Sequence, residues 1–148
     1  MKLDLTKRKT RERELVALFG RAPIRQAFGM KLHYDEDGSA VFEMPYNPKL
    51  DHFLGGIHGG VISTLLDNAG WFTCAALSDY WVATAELSVR LLEPVAKVGL
   101  RSRGAIVKRG SRLMVCEMEV RTMDTDRLVA KGAGTFVVTS VPAKEAKT

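Results

Sequence analysis

The spacing of apolar and polar positions divides the chain into stretches of different period. From Glu12 to about Gly29 the period is helical. Leu15, Val16, Leu18 and Phe19 recur on one face, and Pro23 opens a second short turn that buries Ile24, Ala27 and Phe28. Residues 30–35 and 39–44 read as strands joined by the turn formers Asp35-Glu36-Asp37-Gly38. Residues 45–57, with Pro45, Asn47, Pro48 and Gly55-Gly56, read as loop.

Between Gly59 and about Ser78 the apolar positions no longer keep to one face. Val61, Ile62, Leu65, Leu66, Ala69, Trp71, Phe72, Cys74, Ala75, Ala76 and Leu77 surround a helix nearly all the way round, which predicts burial in protein or membrane. Ser63, Thr64, Asp67, Asn68 and Thr73 interrupt the stretch, so a buried central helix is the expectation rather than a membrane span. After it the period falls to two. Residues 82–92 set Leu87, Val89 and Leu91 on one face, and 97–108, 112–122 and 127–139 follow with short connections. Four long strands so joined predict an antiparallel meander. The whole is an α+β plan in which a curved antiparallel sheet wraps around one long helix. Its edge strands and outer face would be partly covered by self-association.

Length and composition change this picture little. A chain of 148 residues, 46% hydrophobic and 26% charged, is one globular domain. Cys74 and Cys116 lie far apart in apolar stretches and form neither a disulfide framework nor a metal motif, which favours a reducing compartment. The polar, basic N-terminus resembles no secretory signal, so a cytoplasmic location is expected, with no membrane. Three segments follow: a basic, flexible arm over 1–14, a single domain over 15–140 and a polar tail over 141–148.

Charge is unevenly distributed. Residues 1–14 carry a net +3 and residues 97–112 a net +6, leaving −4 for the remainder of a chain whose total is +5. Local basic patches imply an anionic partner: nucleic acid, a membrane surface or a phosphorylated small molecule.

The stretch that carries chemistry is His58-Gly59-Gly60, followed nine residues after the histidine by Asp67. Gly59 and Gly60 admit a substrate to the backbone. The free N–H groups of the helix start, with the positive end of the helix dipole, suit a developing oxyanion. Asp67, inside an apolar helix, is either functional or tied by hydrogen bonds to Ser63, Thr64 or a strand. Nine residues of helical rise separate it from His58 by roughly 13 Å. Donors and base acting on one carbonyl must lie within a few Å of it, so one copy of the helix does not supply both. Two antiparallel copies do, which predicts a homo-oligomer, a dimer or dimer of dimers, with shared sites. No histidine–carboxylate spacing suggests zinc, and the glycines form no phosphate loop, so neither metal nor cofactor is expected.

On the His58-Gly59-Gly60…Asp67 core and the order of elements, the sequence resembles the hotdog-fold acyl-CoA thioesterases of the PaaI (phenylacetyl-CoA thioesterase) type over roughly residues 20–140. That resemblance implies hydrolysis of an aryl- or medium-chain acyl-CoA, with coenzyme A part of the substrate. Gly59 N–H would polarise the thioester carbonyl, supported by Gly60 and the His58 loop. Asp67 of the neighbouring subunit would be nucleophile or base, and Thr84 would position water. Where the family commonly has Asn, six residues before the motif, this chain has His52, which donates one hydrogen bond and makes the interaction pH-dependent. Trp71 would line the acyl pocket, and Arg101, Arg103, Arg109 and Arg112 would meet the phosphates of coenzyme A. A non-catalytic acyl-CoA-binding protein on the same fold is the alternative; nucleic-acid binding leaves Asp67 unexplained and is not expected.

Overall fold

The computed structural model describes residues 4–143. Helix α1 runs Leu5–Phe19, α2 Pro23–Phe28 and α3 Gly59–Ala75. The strands are β1 Lys31–Tyr34, β2 Ala40–Met44, β3 Tyr80–Leu91, β4 Leu100–Arg109, β5 Leu113–Thr122 and β6 Leu128–Pro142. All six form one antiparallel sheet in the order β1-β2-β4-β5-β6-β3, and α3 packs against β2 to β6. Among the described residues no helix is long and apolar enough to cross a membrane.

Two expectations are corrected here. The first concerns the basic arm. From Leu5 onward it is helix, capped by Asp4, whose side chain accepts from the N–H of Thr6 at 2.9 Å. Three of its ion pairs lie within the helix, Glu12 with Arg8 at 3.1 Å and with Lys9 at 2.9 Å, and Arg11 with Glu14 at 3.3 Å, while Lys7 reaches Asp79 at 2.7 Å. Arg11, Glu12, Leu15 and Phe19 make the buried face, so a run that composition marks as solvated is an ordered flank of the domain. Residues 1–3 of the expected arm lie outside the described residues, as do 144–148 of the expected tail, whose first two residues belong to β6.

The second concerns the meander. Only β4, β5 and β6 follow one another in the sheet; β3 lies at the far edge beside β6. The connection from Leu92 to Gly99, which contains Pro94 and a left-handed Lys97, leads across the sheet instead of turning as a hairpin. A consequence is that β3 has one free edge along its twelve residues.

The core lies between α3 and the concave sheet face, built from Phe42, Leu65, Leu66, Leu100, Met114, Met118 and Phe136. Helix and sheet meet closely at Gly104 of β4. A Cβ there would stand 2.5 Å from the Ala69 carbonyl oxygen and from Thr73 Oγ1, so only glycine fits. Thr73 is buried at that contact, donating to the Ala69 carbonyl at 2.7 Å and accepting from Ala40 N–H at 3.0 Å. Burial of α3 is not complete, however. Gly60, Ser63, Thr64, Asp67, Asn68 and Trp71 form a stripe at three- and four-residue spacing that the described residues leave partly open.

Candidate active site

The open stripe of α3 runs beside the free edge of β3, and the two are joined by side chains. Thr84 Oγ1 donates to Asp67 Oδ1 at 2.8 Å, and one turn further along, Trp71 Nε1 donates to the Val82 carbonyl at 2.8 Å. Strict alternation along β3 would put Thr84 on the opposite face from Leu87 and Val89. The register shifts between Thr84 and Glu86, leaving Ala85 as a bulge, and this turns Thr84 toward α3.

At the start of α3, His58 is the N-cap. Its Nδ1 accepts from Gly60 N–H at 2.8 Å, which assigns the ring proton to Nε2 in the neutral imidazole. The Val61 N–H is bonded to the His58 carbonyl at 2.9 Å. Gly59 N–H, which precedes both, has no hydrogen-bond acceptor among the described residues and is the unfilled donor of the helix start. Ser63 and Thr64 donate their hydroxyls back to the carbonyls of Gly59 and Gly60, both at 2.9 Å, which fixes the first turn. Gly60 is therefore occupied by the cap, and the donor role falls to Gly59 alone.

His52 opens a tight loop. Its N–H donates to the Gly56 carbonyl at 2.8 Å, its Nδ1 accepts from Leu54 N–H at 3.2 Å, and its ring packs against Gly56. Asp51 anchors the same loop by accepting from the Tyr46 hydroxyl at 2.5 Å, which also pushes the Tyr46 phenol above its ordinary pKa. The loop presents Phe53 and Leu54 to solvent at 96% and 77% exposure, and Leu91 and Leu92 at the end of β3 are 53% and 52% exposed. Leu91 Cδ1 lies against Gly59, 2.8 Å from where a Cβ would stand. The unfilled amide thus has an apolar neighbour in Leu91, and the described residues leave that side chain half open to solvent. Sequence reasoning missed these exposed groups, although Phe53-Leu54 and Leu91-Leu92 are adjacent apolar pairs.

The four expected cations are not gathered at this site. Arg101 and Arg103 alternate along β4 and are already paired: Arg101 with Glu43 at 3.5 Å and Asp126 at 3.4 Å, Arg103 with Asp35 at 3.0 Å and with Asp37. Arg109 donates to the Leu77 carbonyl at 2.8 Å, beyond the C-terminal end of α3, and Arg112 is exposed at the β4–β5 turn. Neither has a carboxylate partner among the described residues.

An amide donor at a helix start, with a carboxylate further along the same helix held by a hydroxyl of the neighbouring strand, is equipment for attack of water on an activated carbonyl. Residues 54–129, from the apolar loop to the beginning of β6, match the model of the thioesterase superfamily. The chain belongs to the thioesterase superfamily. A Saccharolobus solfataricus protein described provisionally as an esterase is 33% identical over 112 residues, covering 74% of this chain and 79% of that one. A thioesterase family protein from Silicibacter pomeroyi superimposes with a TM-score of 0.78 at 26% identity, covering 84% of this chain and 95% of that one. The E. coli PaaI protein of the phenylacetic acid degradation operon gives a TM-score of 0.81 at 18% identity, covering 93% and 96%, a likeness of fold. The long helix in a curved antiparallel sheet is the hotdog fold of this thioesterase superfamily, and thioester hydrolysis is its chemistry at family level.

Proposed function

We propose that this thioesterase hydrolyses the thioester of an aryl- or medium-chain acyl-CoA to free acid and coenzyme A, at a site completed by a second copy of the chain. The observation that carries the reading is the Asp67–Thr84 hydrogen bond at 2.8 Å, a carboxylate and a hydroxyl held together at an open surface. Eight residues of helix separate Gly59 from Asp67 by about 12 Å, too far for both to serve one carbonyl. A two-fold axis crossing α3 near Ser63 sets Gly59 of one protomer level with the partner's Asp67. The free edge of β3 and the exposed Leu91 beside Gly59 supply surface for that pairing, since the described residues protect neither.

In this arrangement Gly59 N–H donates to the thioester oxygen as it gains charge, aided by the helix dipole. The partner's Asp67 takes a proton from a water that Thr84 orients, and the water oxygen bonds to the carbonyl carbon. The C–S bond then breaks, and the proton on Asp67 passes to the departing thiolate. Trp71, one turn beyond Asp67, flanks the acyl group. For the phosphates of coenzyme A, Arg109 and Arg112 are better candidates than Arg101 and Arg103, whose charge is already neutralised by carboxylates.

Thiol release across short, long, branched and aromatic acyl-CoA esters tests this reading. Turnover on at least the aryl or medium-chain esters is expected, abolished by Asp67→Asn with folding intact. Tight acyl-CoA binding without thiol release would make the chain a binding protein instead.

A further inference from the structure

Helix α1 has no part in the chemistry above, yet it reaches the acyl side of the site through three stacked groups. The Arg11 guanidinium carbon lies 4.7 Å from the ring centroid of Trp81. Trp81 in turn stacks on Trp71 with centroids 6.1 Å apart and an interplanar angle of 22°. Trp71 is fixed further by its bond to the Val82 carbonyl and by Phe72, 4.8 Å away edge to face. Arg11 is 8% exposed, and its Nε and Nη2 are buried without a hydrogen-bond partner among the described residues. Its Nη1 alone is bonded, to Glu14 and to the Ala143 carbonyl. A buried guanidinium with idle donors adds little stability for the desolvation it costs, and its one carboxylate partner, Glu14, is exposed enough to stand unpaired. What a planar cation does that an aliphatic chain does not is hold an indole face in register.

We propose that the Arg11–Trp81–Trp71 stack is the rear wall of the acyl site and sets its reach, with Arg11 a positioning residue that acts through the two indoles. The inference rests on the acyl-CoA reading above. Trp71 lies four residues beyond Asp67, so about 6 Å of helix separates the reacting carboxylate from the indole. That leaves room for a ring or a short chain before the wall is met. A mobile indole would swing aside and admit longer chains; a clamped one excludes them.

The test compares kcat/KM for phenylacetyl-CoA and straight-chain acyl-CoA esters from butyryl to palmitoyl in the wild type, Trp71→Ala, Arg11→Met and Arg11→Lys. The ratio of long-chain to aryl kcat/KM is expected to rise about tenfold in Trp71→Ala and about threefold in Arg11→Met, with Arg11→Lys between Arg11→Met and wild type. Thermal stability of Arg11→Met is expected to equal or exceed that of the wild type, which separates positioning from folding. The two tryptophans are the only ones in the chain, so the near-UV circular dichroism of their stack reports loosening directly. A wild-type selectivity profile in both Arg11 variants would overturn the proposal while leaving thioester hydrolysis intact. If the wild type releases no thiol, the acyl-CoA hydrolysis reading fails separately. Affinities for non-hydrolysable acyl-CoA analogues then carry the same comparison, and an unchanged chain-length profile again overturns the wall.

Discussion

Thr84 of β3 holds Asp67 of α3 through a single hydrogen bond of 2.8 Å, and it does so because the bulge at Ala85 turns it to the helix side of the sheet. A hydroxyl in that place donates to the carboxylate and still accepts from a water, which fixes the water against the oxygen that deprotonates it. Thr84→Ala is expected to lower kcat by about 100-fold with little change in KM, and Thr84→Ser to restore most of it. Steady-state thiol release measures both. Equal kcat in Thr84→Ala and wild type would remove Thr84 from the mechanism.

His58 acts through its acceptor nitrogen. Its Nδ1 caps α3, so asparagine, the same kind of acceptor on a shorter side chain, replaces it better than alanine does. His58→Ala is expected to destabilise the fold by about 1 kcal/mol, and His58→Asn by a few tenths. Urea unfolding of the two variants measures the difference. If His58→Asn instead keeps full stability but loses all activity, the imidazole does chemistry that capping does not describe.

The outer face of the sheet predicts how stability depends on acid. Asp37 accepts from the Ser39 N–H at 2.9 Å and pairs with Arg103, and these interactions, the backbone bond first, hold its pKa below the ordinary 3.8. A carboxyl whose folded pKa is lowered stabilises the fold above its unfolded pKa and loses that contribution as pH falls through the folded value. Because the pair is half exposed, the contribution is at most about 1 kcal/mol. Asp37→Asn is therefore expected to lower the unfolding midpoint slightly at pH 7 and by less at a pH well below the ordinary carboxylate range. A deficit of the same size at both pH values would place its origin in packing.

Most of the architecture was legible from periodicity, because the change from 3.6 to 2 falls where α3 gives way to β3, and β5 and the first half of β4 alternate cleanly. Strand order was not, since alternation fixes faces but not neighbours, and nothing in residues 92–99 distinguishes a crossing from a turn. Asp67 and Gly59 stood out as a carboxylate and a glycine pair in unusual company. The alignment of Thr84 with Asp67 depends on one bulged residue, Ala85, which leaves no mark on an apolar–polar pattern. The basic block of β4 was misleading for a plainer reason. Its carboxylate partners, Asp35, Asp37, Glu43 and Asp126, are distant in sequence and adjacent only in the sheet.

The central claim is that Gly59 and Asp67 act on one carbonyl from two different protomers. Proline is tolerated at the first position of a helix and lacks the N–H, so Gly59→Pro removes the donor, and Asp67→Asn removes the base. Each variant alone is expected to be inactive. When the two are unfolded together in equal amounts and reassembled, half of the dimers are mixed, and each mixed dimer holds one intact site. Thiol release should then recover to about one quarter of the wild-type rate per chain. Mixed dimers that form, as verified by tags on the two variants, and yet release no thiol would contradict the shared site.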